Sequence, residues 1–301
     1  MKKLLSIILA GMMLAASALV FSSCGKDEGG KTSDTGNGEK KDAIIVQTNA
    51  FFAPFEYYDG TEIVGVDVDV MNKVGEKLGR KIEFTNVDFQ AIVDNVAAGK
   101  VCDCGAAGIT ITPDRSEKVD FSTPYYTSVQ YVIWSEDAEM NTVDDKYVLW
   151  DDLAGKKIGV QTDTTGNIFV DGEINATEDN EDYGYNGVLL DKGATLVNFD
   201  NAQLAADAVR ANQIDVVVID ELPAQFITDK NDGFKCLPLY YAGKDGEEDT
   251  PTTEDYAICV TKGNDELLKA INEVLADMMK KDDNGENEID RLLMKHMGLE
   301  G

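Results

Sequence analysis

From residue 43 onward, short apolar runs rich in Ile, Val and Ala alternate with stretches whose apolar positions recur every three or four residues. Runs bounded by Gly, Asn or Asp read as buried strands, and the wider spacing reads as helix. Strands fall on this pattern at 43–48, 82–87 and 105–112, with helices over 71–78 and 89–98 between them. Val70, Val74 and Leu78 share one helical face, and Gly79 supplies the stop. Strand, helix, strand, helix, strand is the rhythm of a parallel sheet. It restarts after Asp151, with strands at 156–160, 197–199 and 214–219 and helices over 201–212 and 222–228. Residues 167–190, rich in Asp, Glu, Asn and Gly, read as a surface excursion. Residues 128–134 form a strand leaving the first half, and 255–260 a strand returning to it. Helices at 263–279 and 288–296 then pack on the first half and make it discontinuous. The pattern predicts an α/β chain of two lobes, residues 43–129 plus 254–301 and residues 130–253. Each lobe is a mostly parallel sheet flanked by helices, and two hinge crossings join them.

The N-terminus follows another pattern. Lys2 and Lys3 precede an apolar run over 4–20, and Phe21, Ser22 and Ser23 lead to Cys24. A basic start, an apolar stretch and small residues describe a secretory signal over 1–23. Residues 25–42 hold Gly, Lys, Asp, Glu, Ser and Thr with almost no apolar side chain. Such a stretch cannot bury enough surface to offset its ordering entropy, so 24–42 is expected to be a flexible tether.

The formal charge is −29, and loss of Lys2 and Lys3 with the leader takes it to −31. Nucleic-acid binding depends on neutralising phosphates with Lys and Arg, so this balance argues against it. It suits an exported protein kept monomeric by self-repulsion. Besides Cys24 there are Cys102, Cys104, Cys236 and Cys259, and His296 is the only histidine. Cys102-Asp103-Cys104 is not a standard zinc spacing, so no metal is expected. Buried free thiols are the expected state, with Cys236–Cys259 and Cys102–Cys104 bridges left open. With one histidine near the far end, neither a Ser-His-Asp nor a Cys-His nucleophile set is credible.

Candidate chemistry concentrates between Gly105 and Tyr126, in the string GAAGITITPDRSEKVDFSTPYY. A buried strand ends there in a turn, and Thr112-Pro113-Asp114 starts a helix with Thr112 as cap and Pro113 at its first position. Backbone N–H groups near Gly108, the hydroxyls of Thr110 and Thr112, and the Arg115 guanidinium form a set suited to an anion. Arg115 can grip a carboxylate through two parallel hydrogen bonds. An ordinary capped helix with a surface arginine fits the same residues. Thr- and Gly-rich residues 161–167 open a second helix N-terminus, and the apolar strand ending at Asp220 places a carboxylate at the sheet's ligand edge.

The strings AGITITPDR and VDFSTPYY resemble the signature of extracellular amino-acid-binding proteins that feed ABC importers, and the likeness extends over most of the chain. It implies a periplasmic-binding-protein-like (type II) fold that closes on a free amino acid and delivers it to a membrane permease. Its implied site assigns the ligand's α-carboxylate to Gly108, Thr110 and Arg115, with Thr165 meeting it from the opposite lobe. Asp220 takes the α-ammonium, Phe52 and Phe89 form aromatic walls, and Asn49 and Gln161 face the ligand side chain. Phe55, and with it Phe51, is expected to serve the core, and Asp67 and Asp69 to do structural work. Many relatives carry Asp where Asn49 stands, so this chain is expected to take a neutral polar amino acid. Asp163 stands where Gly is common, which bears on the turn there. Cys24 resembles the lipidated cysteine of a bacterial lipobox, with Phe21 in place of the usual Leu, so a lipid anchor on the outer face of the cell membrane is implied. Neither a cofactor nor an enzymatic reaction is implied. Enzymes on the same fold, of dehydratase or peptidoglycan-cleaving type, and receptor lobes of signalling proteins are the alternatives. Turnover of a substrate would mark the first. A kinase or channel segment would mark the second, and none accompanies this chain.

Overall fold

The computed structural model describes residues 43–176, 183–244 and 246–299. The expected leader, the lipidation site at Cys24 and the tether lie outside the described residues. β1 (Ala43–Thr48) leads into a small antiparallel ribbon of β2 (Phe51–Phe52), β3 (Glu56–Asp59) and β4 (Glu62–Val64). Next come α1 (Val66–Leu78), β5 (Lys81–Asn86), α2 (Phe89–Ala98), β6 (Cys104–Thr110), α3 (Pro113–Lys118) and β7 (Val119–Phe121). β8 (Tyr126–Ser135) leaves this part for β9 (Val148–Leu149), β10 (Lys157–Gln161), α4 (Thr165–Asn175), β11 (Thr195–Phe199) and α5 (Ala202–Arg210). β12 (Val216–Asp220), α6 (Glu221–Lys230), β13 (Phe234–Tyr241) and β14 (Thr250–Pro251) follow. β15 (Thr253–Thr261) returns the chain to α7 (Asp265–Met278) and α8 (Glu288–Met297).

The strands line up in the order β11-β10-β12-β8-β15-β6-β1-β5. β5, β1 and β6 are parallel in the first lobe, and β11, β10 and β12 are parallel in the second. β8 and β15 are the two strands that pass between them. Residues 126–129 of β8 pair with 253–256 of β15, and residues 130–134 pair with β12. Both parallel sets aim their carboxyl ends at the space between the lobes, where an open α/β sheet receives its ligand. β12 is buried along its whole length, as a sheet covered on both faces requires.

Several elements depart from the sequence pattern, each for a local reason. α1 begins at Val66, ahead of the expected 71, because Asp67 is fully buried inside its first turn. Tyr125 Oη donates to its Oδ1 at 2.5 Å and the Gly108 N–H to its Oδ2 at 3.0 Å. Gly65 makes that start practicable: it has φ +136°, and a Cβ there would lie 2.1 Å from the Phe55 carbonyl oxygen. The expected surface excursion over 167–190 is instead helical to Asn175. Buried Glu173 accepts bonds from Asn186 N at 3.1 Å and Tyr241 Oη at 2.6 Å, so an acidic residue anchors the segment inward. Phe55 is core, 5.0 Å from Tyr256 and 5.2 Å from Tyr126 between ring centroids, whereas Phe51 is 49% exposed on the ribbon. Among the described residues Cys102, Cys104, Cys236 and Cys259 form no disulfide, and Cys236 sits in β13, away from Cys259 in β15. His296 fastens α8 to α1, with Nε2 3.0 Å from Asp69 Oδ2 and Nδ1 3.2 Å from Tyr57 Oη.

Candidate functional site

A cavity lies between the carboxyl ends of the two parallel sets. From the first lobe Asn49, Phe52, Phe89, Gly108 and Thr110 line it, and from the second Gln161, Thr164, Thr165 and Asp220. Eight of these nine are residues the sequence singled out, and Thr164 is the addition. Its hydroxyl caps α4, accepting from Asn167 N at 3.3 Å and donating to Gln161 O at 2.8 Å. Arg115 lies beside the cavity with its guanidinium 5.4 Å over the Phe89 ring, and it lines an adjoining space of about 170 Å³ with Asp163 and Tyr183.

The main cavity has a volume of about 10 Å³, which is room for one water molecule. The lobes meet across it through the groups expected to hold a ligand. Thr110 Oγ1 is 2.7 Å from Thr165 Oγ1, Gln161 Nε2 donates to Asn49 Oδ1 at 3.0 Å, and Arg115 Nη2 donates to the Asp163 carbonyl at 2.7 Å. A small zwitterion enters only when these bonds open, and it then meets the same donors and acceptors. Gln161 Oε1 is buried with no partner, so a bond acceptor is available near Asn49.

Two expected anion-binding groups are already committed. The Gly108 N–H is not free, because it donates to Asp67 Oδ2 at 3.0 Å, and the Thr112 hydroxyl accepts from Arg115 N at 3.2 Å as the α3 cap. Gly108 still matters for shape. Its φ is +52°, and a Cβ would lie 2.8 Å from the Phe52 ring, so only glycine lets that ring cover the cavity. Asp163 takes up the left-handed turn at φ +61°, held by Asn167 Oδ1 on its N–H at 3.0 Å and by Arg115 on its carbonyl. Asp tolerates that conformation better than most residues.

Arg115 is 9% exposed and also donates through Nη1 to the Thr110 carbonyl at 2.9 Å. Burial lowers its pKa, and nearby Glu254 pulls the other way. A guanidinium has five N–H donors, so the two bonds leave others for a carboxylate. Asp220 precedes α6 and makes no side-chain cap. Its Oδ1 accepts from Gln130 Nε2 at 2.6 Å, and the same nitrogen donates to Glu254 Oε1. Glu254 Oε2 accepts the Thr110 hydroxyl at 2.5 Å. Burial and the charge of Glu254 push the Asp220 carboxyl well up. Gln130 and Glu254 were missed in the sequence. Each is one polar residue inside an otherwise ordinary strand, and the faint signal is that they lie on the two crossings. Among the described residues no group of three or more His, Cys, Asp or Glu side chains is arranged to hold a metal ion.

The sequence profile of the bacterial extracellular solute-binding proteins, family 3, matches residues 44–298. The chain belongs to that family. The arginine-binding extracellular protein ArtP of Bacillus subtilis is 27% identical over 92% of this chain and 94% of its own length. A probable histidine-binding protein of Neisseria gonorrhoeae is 28% identical over 96% of this chain and 94% of its own. Among solved structures, an ancestral arginine-binding protein bound to arginine superposes with a TM-score of 0.67 at 31% identity, covering 85% of this chain and 98% of that one. Like that solved structure, the chain is a two-lobed α/β binding-protein fold.

Proposed function

We propose that this chain is the substrate-binding component of an amino-acid ABC importer, closing its lobes around a free amino acid and handing it to a membrane permease. The observation that carries the reading is a buried guanidinium and a buried carboxylate on different lobes, Asp220 lining the cavity and Arg115 the space that adjoins it. Burying a zwitterion is favourable only when both charges are paired, and this arrangement supplies one partner for each. Arg115, Thr110 and Thr165 take the carboxylate, Asp220 the ammonium, Phe52 and Phe89 flank the ligand, and Asn49 and Gln161 meet its side chain. Gly108 keeps the wall thin. Residues 43–129 with 254–301 form one moving lobe and 130–253 the other, rotating about the β8 and β15 crossings. Cys24 carries the lipid that tethers the chain outside the membrane. The names of the relatives, all of binding proteins, support this over an enzyme.

The neutral-ligand expectation is revised here in favour of a cationic side chain, arginine first. Relatives named for arginine and histidine support this. So does the charge around the site, where the buried carboxyl groups of Asp220 and Glu254 both act on one buried guanidinium. A flat side chain rich in N–H donors suits two aromatic walls and the unpartnered Gln161 Oε1. Asn49 denies it a direct ion pair but not a hydrogen bond. A thermal-shift screen of the purified protein against the twenty amino acids and cystine tests the reading, since a ligand of the native state raises the melting temperature. L-arginine is expected to give the largest shift. No shift with any of them would sink the amino-acid reading, and a largest shift with a neutral amino acid would sink the cationic one.

A further inference from the structure

Where β8 and β15 pass between the lobes, two carboxylates converge on one amide. Gln130 Nε2 gives one hydrogen to Asp220 Oδ1 at 2.6 Å and the other to Glu254 Oε1. Gln130 is fully buried, Asp220 is 4% exposed and Glu254 7%, so water does not screen them. Gln130 Oε1 has no partner, and the Tyr256 hydroxyl beside Asp220 lowers that carboxyl only in part against burial and the charge of Glu254. A neutral amide nitrogen cannot hold two full negative charges side by side in such a place.

The other charged and titratable groups around the pair do not relieve it. Arg115 on α3 attracts both carboxylates, but its two bonded N–H groups go to the carbonyls of Thr110 and Asp163. Glu56 on β3 adds negative charge against Asp220, and both its oxygens are buried without partners. Asp67 on α1 lies behind Glu56. Tyr126 on β8 and Tyr256 on β15 face Asp220, and burial with the nearby acids keeps both phenols protonated. Glu221, next along from Asp220, bonds outward to Tyr131 at 3.0 Å.

We propose that Asp220 holds a proton against the neighbouring Glu254 carboxylate, and that the ammonium of an arriving amino acid replaces it. The inference rests on the amino-acid reading above. It makes Glu254 a second ligand-binding carboxylate, reached together with Thr110, whose hydroxyl it already accepts. The balance is simple: one carboxyl O–H bond breaks, its proton goes to solvent, and the ammonium N–H groups bond to the two carboxylates in its place. Binding therefore releases one proton per ligand, and affinity rises with pH while Asp220 is protonated, by up to about tenfold per unit.

Isothermal titration with L-arginine tests this, because its side chain does not titrate between pH 5.5 and 7.5. Titrations at pH 6.5 in phosphate and in imidazole separate binding heat from the heat of proton uptake by buffer. The wild-type protein is expected to release close to one proton per site, and Kd to tighten as pH rises from 5.5 to 7.5. Glu254→Gln keeps the shape and an acceptor for Thr110, and is expected to bind with almost no proton release and a flat pH profile. Equal heats in the two buffers for wild type would overturn the proposal, as would a Glu254→Gln variant that releases the same proton. If that variant does not fold, the wild-type titration decides alone. If L-arginine gives no heat, the same titrations are run with each of the other nineteen amino acids. Binding without proton release removes only this inference, whereas no binding by any of the twenty removes the parent reading with it.

Discussion

Replacing Arg115 with alanine isolates the strongest single interaction in the proposed site. The guanidinium makes two bonds in the closed form, to Thr110 O at 2.9 Å within its own lobe and to Asp163 O at 2.7 Å across the cleft. The first is present with or without ligand, so it cancels from binding and appears as lost stability, about 1.5–3 kcal/mol for a charged donor. The second belongs to closure. The larger effect is on the ligand, whose carboxylate would be buried with no cation, at a cost of about 3–5 kcal/mol. Kd for L-arginine should therefore weaken by about two to three and a half orders of magnitude. Arg115→Lys retains charge but loses the planar fork and its stacking on Phe89, and should fall between, about tenfold weaker than wild type. Isothermal titration at fixed salt gives both numbers, with circular dichroism melts to show that each variant is folded. An Arg115→Ala protein that binds within about threefold of wild type would refute the assignment of this residue to the carboxylate.

Gly108→Ala sets a methyl 2.8 Å from the Phe52 ring at φ +52°, and should cost about 1–3 kcal/mol in denaturant unfolding as well as weaken binding. Burial raises the Asp67 carboxyl to about 6 against the bonds from Tyr125 and Gly108. A raised acid favours the fold below its unfolded pKa near 4, and that contribution is lost as pH rises through about 6. The stability difference between wild type and Asp67→Asn should therefore shift against wild type by on the order of 2–3 kcal/mol between pH 4 and 6.5, read from urea midpoints. A difference flat across that window would contradict it. Thiol titration of the native protein should leave Cys102, Cys104 and Cys259 silent until denaturant is added, because all three are buried. Rapid native reaction at Cys102, Cys104 or Cys259 would show that the first-lobe sheet is not packed as described.

Much of this was legible in the residue pattern. The alternation of apolar runs and helical spacings gave the two α/β lobes, and the string around Arg115 pointed to the cavity wall. Asp220 could be named because an apolar strand ending in Asp puts the carboxylate at the sheet's ligand edge, and the resemblance, rather than the strand, set that reading above a helix cap. What was not legible depends on partners distant in sequence. Asp67 lies ahead of the expected helix with a structural role implied only by the resemblance; Tyr125 and the Gly108 N–H close around it, which moves the start of α1 and removes an expected anion donor. Glu173 hides in an acidic stretch that composition assigns to solvent, and Tyr241, 68 positions away, turns it inward. Glu254 and Gln130 sit 124 positions apart and carry meaning only where two strands bring them together. Phe51 and Phe55 have the same side chain in the same loop, and which one packs inward is set by Tyr126 and Tyr256 rather than by their neighbours in sequence.

The central claim is that the two lobes close on an amino acid held by Arg115 at one end and Asp220 at the other. A crystal structure of the protein grown with L-arginine tests it most directly. The account predicts one amino acid between the lobes, its carboxylate on Arg115 and Thr165, its ammonium against Asp220, and its side chain between Phe52 and Phe89. The direct Thr110–Thr165 and Gln161–Asn49 bonds should be opened by the ligand. Arginine bound elsewhere, or in this cleft with its carboxylate turned away from Arg115, would contradict it.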